Sequence, residues 1–116
     1  MIKRRKPKPF GIRQNARIRS PAHLKWIRGF PCAVPGCDIQ DGKYIEAAHA
    51  RLGTDGALSI KPSDSWALPL CFYHHRRQHD IGEPRFEKEF GINMKKIAAE
   101  LWRRSPARVK MEREGR

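Results

Sequence analysis

The sequence predicts one small α+β domain, a hairpin followed by short helices and held by a metal staple, between two basic arms. Three observations carry this reading. The chain has 116 residues, 32% of them charged, which leaves apolar material for a single small core and excludes a large multidomain enzyme. Its charge is segregated: residues 1–30 hold ten Lys or Arg and no acid, residues 31–102 nine bases and ten acids, and residues 103–116 six bases and two acids, out of a net +13. Its three cysteines and one histidine fall in two close pairs, Cys32 with Cys37 and Cys71 with His74.

Taken in order, residues 1–19 mix Pro, Lys and Arg without periodicity and are expected as a flexible basic arm. The folded unit is expected over residues 20–103, with 104–116 as a basic C-terminal tail. Ser20-Pro21 is an N-cap and first-turn signature and Gly29 a stop, so residues 21–28 predict a helix with Leu24 and Ile27 on one side. Cys32-Ala-Val-Pro-Gly-Cys37 predicts a tight turn. Asp41-Gly42 lies between β-compatible runs at 38–40 and 43–49, the signal of a two-residue hairpin. Gly53, Gly56 and Pro62 mark residues 51–65 as a loop. Residues 72–79 predict about two helical turns closed by Asp80-Ile-Gly82. Pro84 then opens a helix with Phe86 and Phe90 inward and Gly91 as its stop. Asn93 caps a last helix carrying Met94, Ile97, Ala98 and Leu101 at helical spacing.

Such a core is marginal at this size, and the cysteines supply the remedy. Cys32 and Cys37 are separated by four residues and Cys71 and His74 by two, with 33 residues between the pairs. Two short pairs joined by a long insert enclose a tetrahedral Zn²⁺, which accepts thiolate and imidazole alike. An odd cysteine count without an export signal argues against disulfides and for a reducing cytosol. No run approaches the ~18 apolar residues of a membrane span, so no membrane partner is expected.

His75 and His79 lie four apart, on one face of the expected helix, and can chelate a second cation, while His74 is turned about 100° from His75 toward the zinc. Alone, that spacing suits a solvated pair beside Arg76 and Arg77 equally well. His49, at the end of the expected hairpin strand, supplies a base opposite the helix, a geometry suited to hydrolysis. The basic arms point to nucleic acid as the partner, because clustered bases without acids track a polyanion.

Cys-x4-Cys, a hairpin ending in His49, a loop with Lys61-Pro-Ser-Asp64, and Leu-Pro-Leu-Cys71-x2-His74-His75-x3-His79 together resemble the ββα-metal (HNH) nucleases. More narrowly, the pattern is similar to small phage and prophage HNH-like proteins and to the RecA-dependent phage nuclease of the recombination-enhancement type. The likeness covers roughly residues 20–102.

The resemblance implies a DNA endonuclease with His49 as general base and His75 and His79 as ligands of a catalytic Mg²⁺, Mn²⁺ or Zn²⁺. It also implies a bacterial cytoplasmic setting at the nucleoid, in phage or prophage recombination, with a recombinase filament or other recombination protein as a further partner. Two positions depart from the family. Ala48 stands where many members place a metal-binding Asp or His, leaving Glu46, the nearest upstream acid, to join His75 and His79 as a ligand of the catalytic metal. Trp66 stands at the orienting Asn, leaving Asp64 to fix the His49 ring. Arg13, Arg17, Arg19, Arg51, Lys61, Arg76 and Arg77 are the expected phosphate contacts. The departures keep two alternatives in view: a zinc-stapled nucleic-acid-binding module that does not cut, and a recombination adaptor.

Overall fold

The computed structural model describes residues 17–56 and 60–115. Helix α1 (Pro21–Ile27) starts as its cap predicts: the Ser20 hydroxyl accepts from the His23 amide at 3.1 Å, and Pro21 fills the first turn. The Cys32–Cys37 turn follows. It closes by a hydrogen bond from the Cys37 N–H to the Val34 carbonyl, with Gly36 at φ 83° where a side chain would be strained.

Asp41-Gly42 is not a hairpin turn. The Asp41 carboxylate accepts from the Lys43 amide and caps a single 3-10 turn (Gly42–Tyr44), and the expected strand at 38–40 does not join the sheet. Strand β1 (Ile45–His49) instead pairs antiparallel with β2 (Ala67–Cys71), in the register Ile45 opposite Cys71 to His49 opposite Ala67. The reason is burial. All five residues of β2 are buried, whereas the run at 38–40 has only Ile39 to offer the core, so pairing β1 with β2 buries more apolar surface. Pro69 is tolerated because a two-stranded sheet is all edge, and its carbonyl accepts from the Ala33 amide at 2.9 Å, tying the cysteine turn to the sheet.

Helix α2 (Phe72–Ile81) follows directly, ending at Gly82 with φ 87°. Helix α3 (Glu83–Phe90), opened by Pro84 and closed by Gly91, and helix α4 (Met94–Arg104), capped by Asn93 on the Lys96 amide, lie as predicted. Ile45, Ala48, Leu68, Leu70, Phe86, Met94 and Ala98 form the main core, and Ile27, Ala67 and Leu101 a second one beneath α1.

Described residues of both expected arms are tied to the fold. Residues 1–16, Arg13 among them, lie outside the described part of the chain. Arg17 and Arg19 are not in a loose arm: Arg17 donates to the Asp55 carbonyl at 3.1 Å, and Arg19 to the carbonyls of Pro62 and Lys61 at 2.6 and 3.0 Å. The expected C-terminal tail contains helix α5 (Pro106–Arg113), capped by the Ser105 hydroxyl on the Ala107 amide and packed on α1 and α4. Ser105-Pro106 repeats the Ser20-Pro21 signal, so the cue was present in the sequence. No helix of the described residues is long and apolar enough to cross a membrane.

Candidate functional site

Two clusters use neighbouring residues of α2. On one side Cys32, Cys37, Cys71 and His74 bring their ligand atoms within 4.8 Å of one another, and they form a group that can hold a metal ion. Cys37 Sγ lies 4.0 Å from Cys71 Sγ, and His74 Nδ1 lies 3.5 Å from Cys32 Sγ and 3.3 Å from Cys71 Sγ. The cysteine turn brings the first pair and the β2–α2 junction the second, where Cys71 also caps α2 by accepting from the His74 amide. Burial pushes the Cys32 thiol up to about 11, so a thiolate there needs a cation for company.

On the other side His49, Arg51, Lys61, His75 and His79 line a cleft of about 260 Å³ floored by Ala47. His49 Nε2 lies 2.9 Å from Asp64 Oδ1, and the Asp64 side chain is 3% exposed. The second Asp64 oxygen accepts from the Ser20 amide at 2.8 Å, and Arg19 approaches at 3.4 Å. Burial raises the Asp64 carboxyl, but the bonds from His49 and Ser20 and the nearby charges outweigh it, leaving Asp64 below the usual carboxylate range. Burial, joined by the charges of Lys61 and Arg19 and opposed by Asp64, holds His49 below its ordinary value and so favours the neutral ring. With Asp64 on Nε2, the proton sits there and Nδ1 is the acceptor.

His75 and His79 meet through their Nε2 atoms at 3.2 Å. Either a shared proton or a shared cation fits between them. Burial, then the neighbouring His75 and Arg51, holds His79 below its ordinary value. Glu46, expected to complete a metal clamp, lies instead on the far nitrogen: its Oε1 stands 2.7 Å from His75 Nδ1. That contact leaves His75 Nε2 as the lone-pair side, facing His79.

Among the expected phosphate contacts, Arg51 and Lys61 stand in the cleft, and Arg76 lines a neighbouring hollow with His75 and His79. Arg77 is turned away, bidentate on Glu89 of α3 at 2.9 and 3.2 Å. Trp66 does not orient His49; its ring lies 5.8 Å from Lys95 Nζ. Two supporting residues carried no signal in the sequence. Glu83, 7% exposed, accepts from the amides of Arg51 and Leu52 at 2.8 and 3.1 Å and fixes the loop behind the cleft. Asp55 accepts from the Ser63 amide at 2.9 Å and sets the approach to Asp64. Gly56 is required there, since a Cβ would come within 2.5 Å of the Pro62 ring.

The family described as "Protein of unknown function (DUF968)" matches residues 4–105. The chain is also 28% identical over 75 residues to the "Uncharacterized protein YdfU" of Escherichia coli (strain K12). That stretch is 65% of this chain and 20% of the relative, so the chain spans about a fifth of that protein's length. No solved structure matches.

Proposed function

We propose that this chain, which belongs to the DUF968 family, is a metal-dependent DNA endonuclease of the ββα-metal (HNH) type with a structural zinc. The observation that carries the reading is one cleft in which a strand histidine, backed by a buried carboxylate, faces a helix histidine pair with Arg51 and Lys61 beside them and no carboxylate among the lining residues. Such a wall attracts a phosphodiester and leaves a neutral base next to it. His49 takes the proton of the attacking water on Nδ1, while Asp64 holds the ring and stabilises the imidazolium that results. His75 and His79 would hold a divalent cation, Mg²⁺, Mn²⁺ or Zn²⁺. Their 3.2 Å separation lies between the about 2.9 and 3.4 Å expected of two nitrogens about 2.05 Å from one ion at right-angle or tetrahedral geometry. When bound, that cation supplies Lewis-acid stabilisation of charge on the phosphate and the leaving oxygen. Glu46 orients His75 from behind.

The thiol cluster suits zinc by the same test. Its sulfur–sulfur contact of 4.0 Å and sulfur–nitrogen contacts of 3.5 and 3.3 Å stand near the about 3.8 and 3.6 Å of a tetrahedral Zn²⁺ site. The resemblance implies a role in phage or prophage DNA recombination in the bacterial cytoplasm, with a recombinase filament as a further partner. A second reading, a binding module that does not cut, is favoured by Ala48, which is fully buried where many HNH enzymes have a metal ligand.

Supercoiled plasmid separates the two. Nicking that requires an added divalent cation and falls about 10²–10⁴-fold in His49→Ala supports the nuclease. Salt-sensitive DNA binding with no nicking under any cation supports the module.

A further inference from the structure

The start of α2 carries aromatic surface that the core does not use. The ladder pairs Ile45 with Cys71, so one step beyond it Tyr44 and Phe72 face each other, with ring centroids 5.9 Å apart at 55°. Both rings stay in water, Tyr44 44% and Phe72 51% exposed, and the neighbouring Tyr73 is exposed as well. Phe72 shares a helix face with His75, Arg76 and His79, three, four and seven residues on, and with them and the carboxylates of Glu46 and Asp80 it lines a hollow of about 460 Å³. Lys43 Nζ stands 5.1 Å from the Tyr44 ring. The aromatic pair thus runs into the histidine pair, flanked by Lys43 at one end and Arg76 at the other.

We propose that Tyr44 and Phe72 form a stacking platform for an unpaired base, so that the DNA reaching the histidine cleft is single-stranded or locally unpaired. In a duplex both faces of each base are already stacked, and an exposed ring meets only sugar and phosphate. An unpaired base offers its face, and stacking on an aromatic side chain contributes about 1–3 kcal/mol per base. Flanking cations fit a strand that carries phosphates on both sides of the stacked base, and the platform is continuous with the cleft that would cut it. This inference rests on the reading that the cleft takes DNA, and it adds strandedness.

The test is equilibrium binding by the full chain, without added divalent cation, to labelled oligo(dT), to an abasic strand of equal length and to a duplex. The abasic strand keeps every phosphate and removes every base. The parent should prefer oligo(dT) to the abasic strand by about 5- to 150-fold for one stacked base. Phe72→Leu and Tyr44→Leu should erase that preference while abasic binding, melting temperature and metal content stay at parental values, and Phe72→Trp should keep it. Tyr44 sits in an exposed turn, so its variant remains informative if Phe72→Leu folds poorly. A parent that binds the abasic strand or the duplex as tightly as oligo(dT), or leucine variants that keep the preference, overturns the proposal. If the preference stands and no cation elicits plasmid nicking, the nuclease reading fails while the platform survives. If nicking occurs and the two strands bind alike, the platform alone fails.

Discussion

Helix α2 presents His74 to one cluster and His75 with His79 to another, and the two differ in how many donors the chain brings. Around His74 three cysteines complete a set of four, with Cys32 and Cys71 buried, so no position is left for a substrate. Around His75 and His79 the chain brings two nitrogens to an open cleft, and the nearest carboxylate, Glu46, is on the outer side of a ring. Closed sets crosslink a fold and open sets leave room for chemistry. The separation requires only the turn of about 100° between consecutive residues of a helix.

The comparison is broken most severely at the closed cluster. Cys71→Ser removes a thiolate donor while its hydroxyl can still cap α2, and structural zinc contributes on the order of 10 kcal/mol to small domains, so this variant should lose its cooperative thermal transition in circular dichroism through the loss of the metal alone. Elemental analysis should find one zinc per parental chain. Unchanged circular dichroism in chelator-washed protein without zinc would show that the cluster holds nothing.

Variants of the open cleft should leave the melting curve alone and act on rate. His79→Ala should slow nicking in a way that more Mg²⁺ or Mn²⁺ partly restores, because a two-histidine chelate that loses one arm loses affinity first. The loss in His49→Ala should resist any cation concentration. Since burial lowers His49, the parental rate should rise with pH through a value below the ordinary 6.5 and be flat above it. An acid limb above 6.5, or one that persists in His49→Ala, assigns the base elsewhere.

A third region sharpens the contrast, because it is buried apart from both clusters and feels the cleft only through the charges of Asp64 and His49. His23 is fully buried, with Nδ1 2.7 Å from the Ser105 hydroxyl and Nε2 without a hydrogen-bond partner among the described residues. Burial lowers its pKa from 6.5 to about 4 against the opposing charge of Asp64. Between those values the unfolded chain binds a proton that the folded chain refuses, so stability falls as pH drops through the window and is unaffected above it. The loss should reach about 3 kcal/mol near pH 4. Denaturant titration of parent and His23→Gln at pH 7 and pH 4.5 reads this as a difference, since acid release of metal affects both alike. Equal pH sensitivity in the two proteins would remove His23 from the account.

The smallest effect separates two adjacent arginines. Arg76 lines the hollow beside the histidines, whereas Arg77 is held by Glu89. Arg76→Ala should lower the salt slope of DNA binding by about 0.7 on a single strand or about 0.9 on a duplex. Arg77→Ala should leave the slope unchanged, and equal changes would place both on the phosphate track.

The features legible in the sequence are those whose cause is local. Ser20-Pro21, Gly82 with Pro84, and Asn93 each satisfy helix ends within a few residues, and the predicted helices lie close to where they were expected. The thiol cluster was legible because each pair of donors sits on one turn. The pairing of His49 with Asp64 was expected from the loop acid in the resemblance, and the fold brings the two to 2.9 Å.

Other features depended on partners distant in sequence. Asp41-Gly42 carries a hairpin signal, yet β1 pairs with a strand some twenty residues on, because burying Ala67–Cys71 on both sides outweighs a local turn. Side-chain direction is likewise invisible to spacing. Glu46 is close enough to His75 to be counted as a ligand, but the strand's placement puts it on the wrong nitrogen. Arg17 and Arg19 read as loose charge until the loop at 55–64 folds against them. Composition, caps and ligand spacing therefore determined the α+β class, helices α1 to α4 and the grouping of the four metal-ligand residues by themselves, since each rests on interactions within a turn or two of chain. Which strand pairs with which, which face of His75 is open, and which cations are tied down were decided only by the tertiary structure, because burial and side-chain direction are set by residues far apart in the chain.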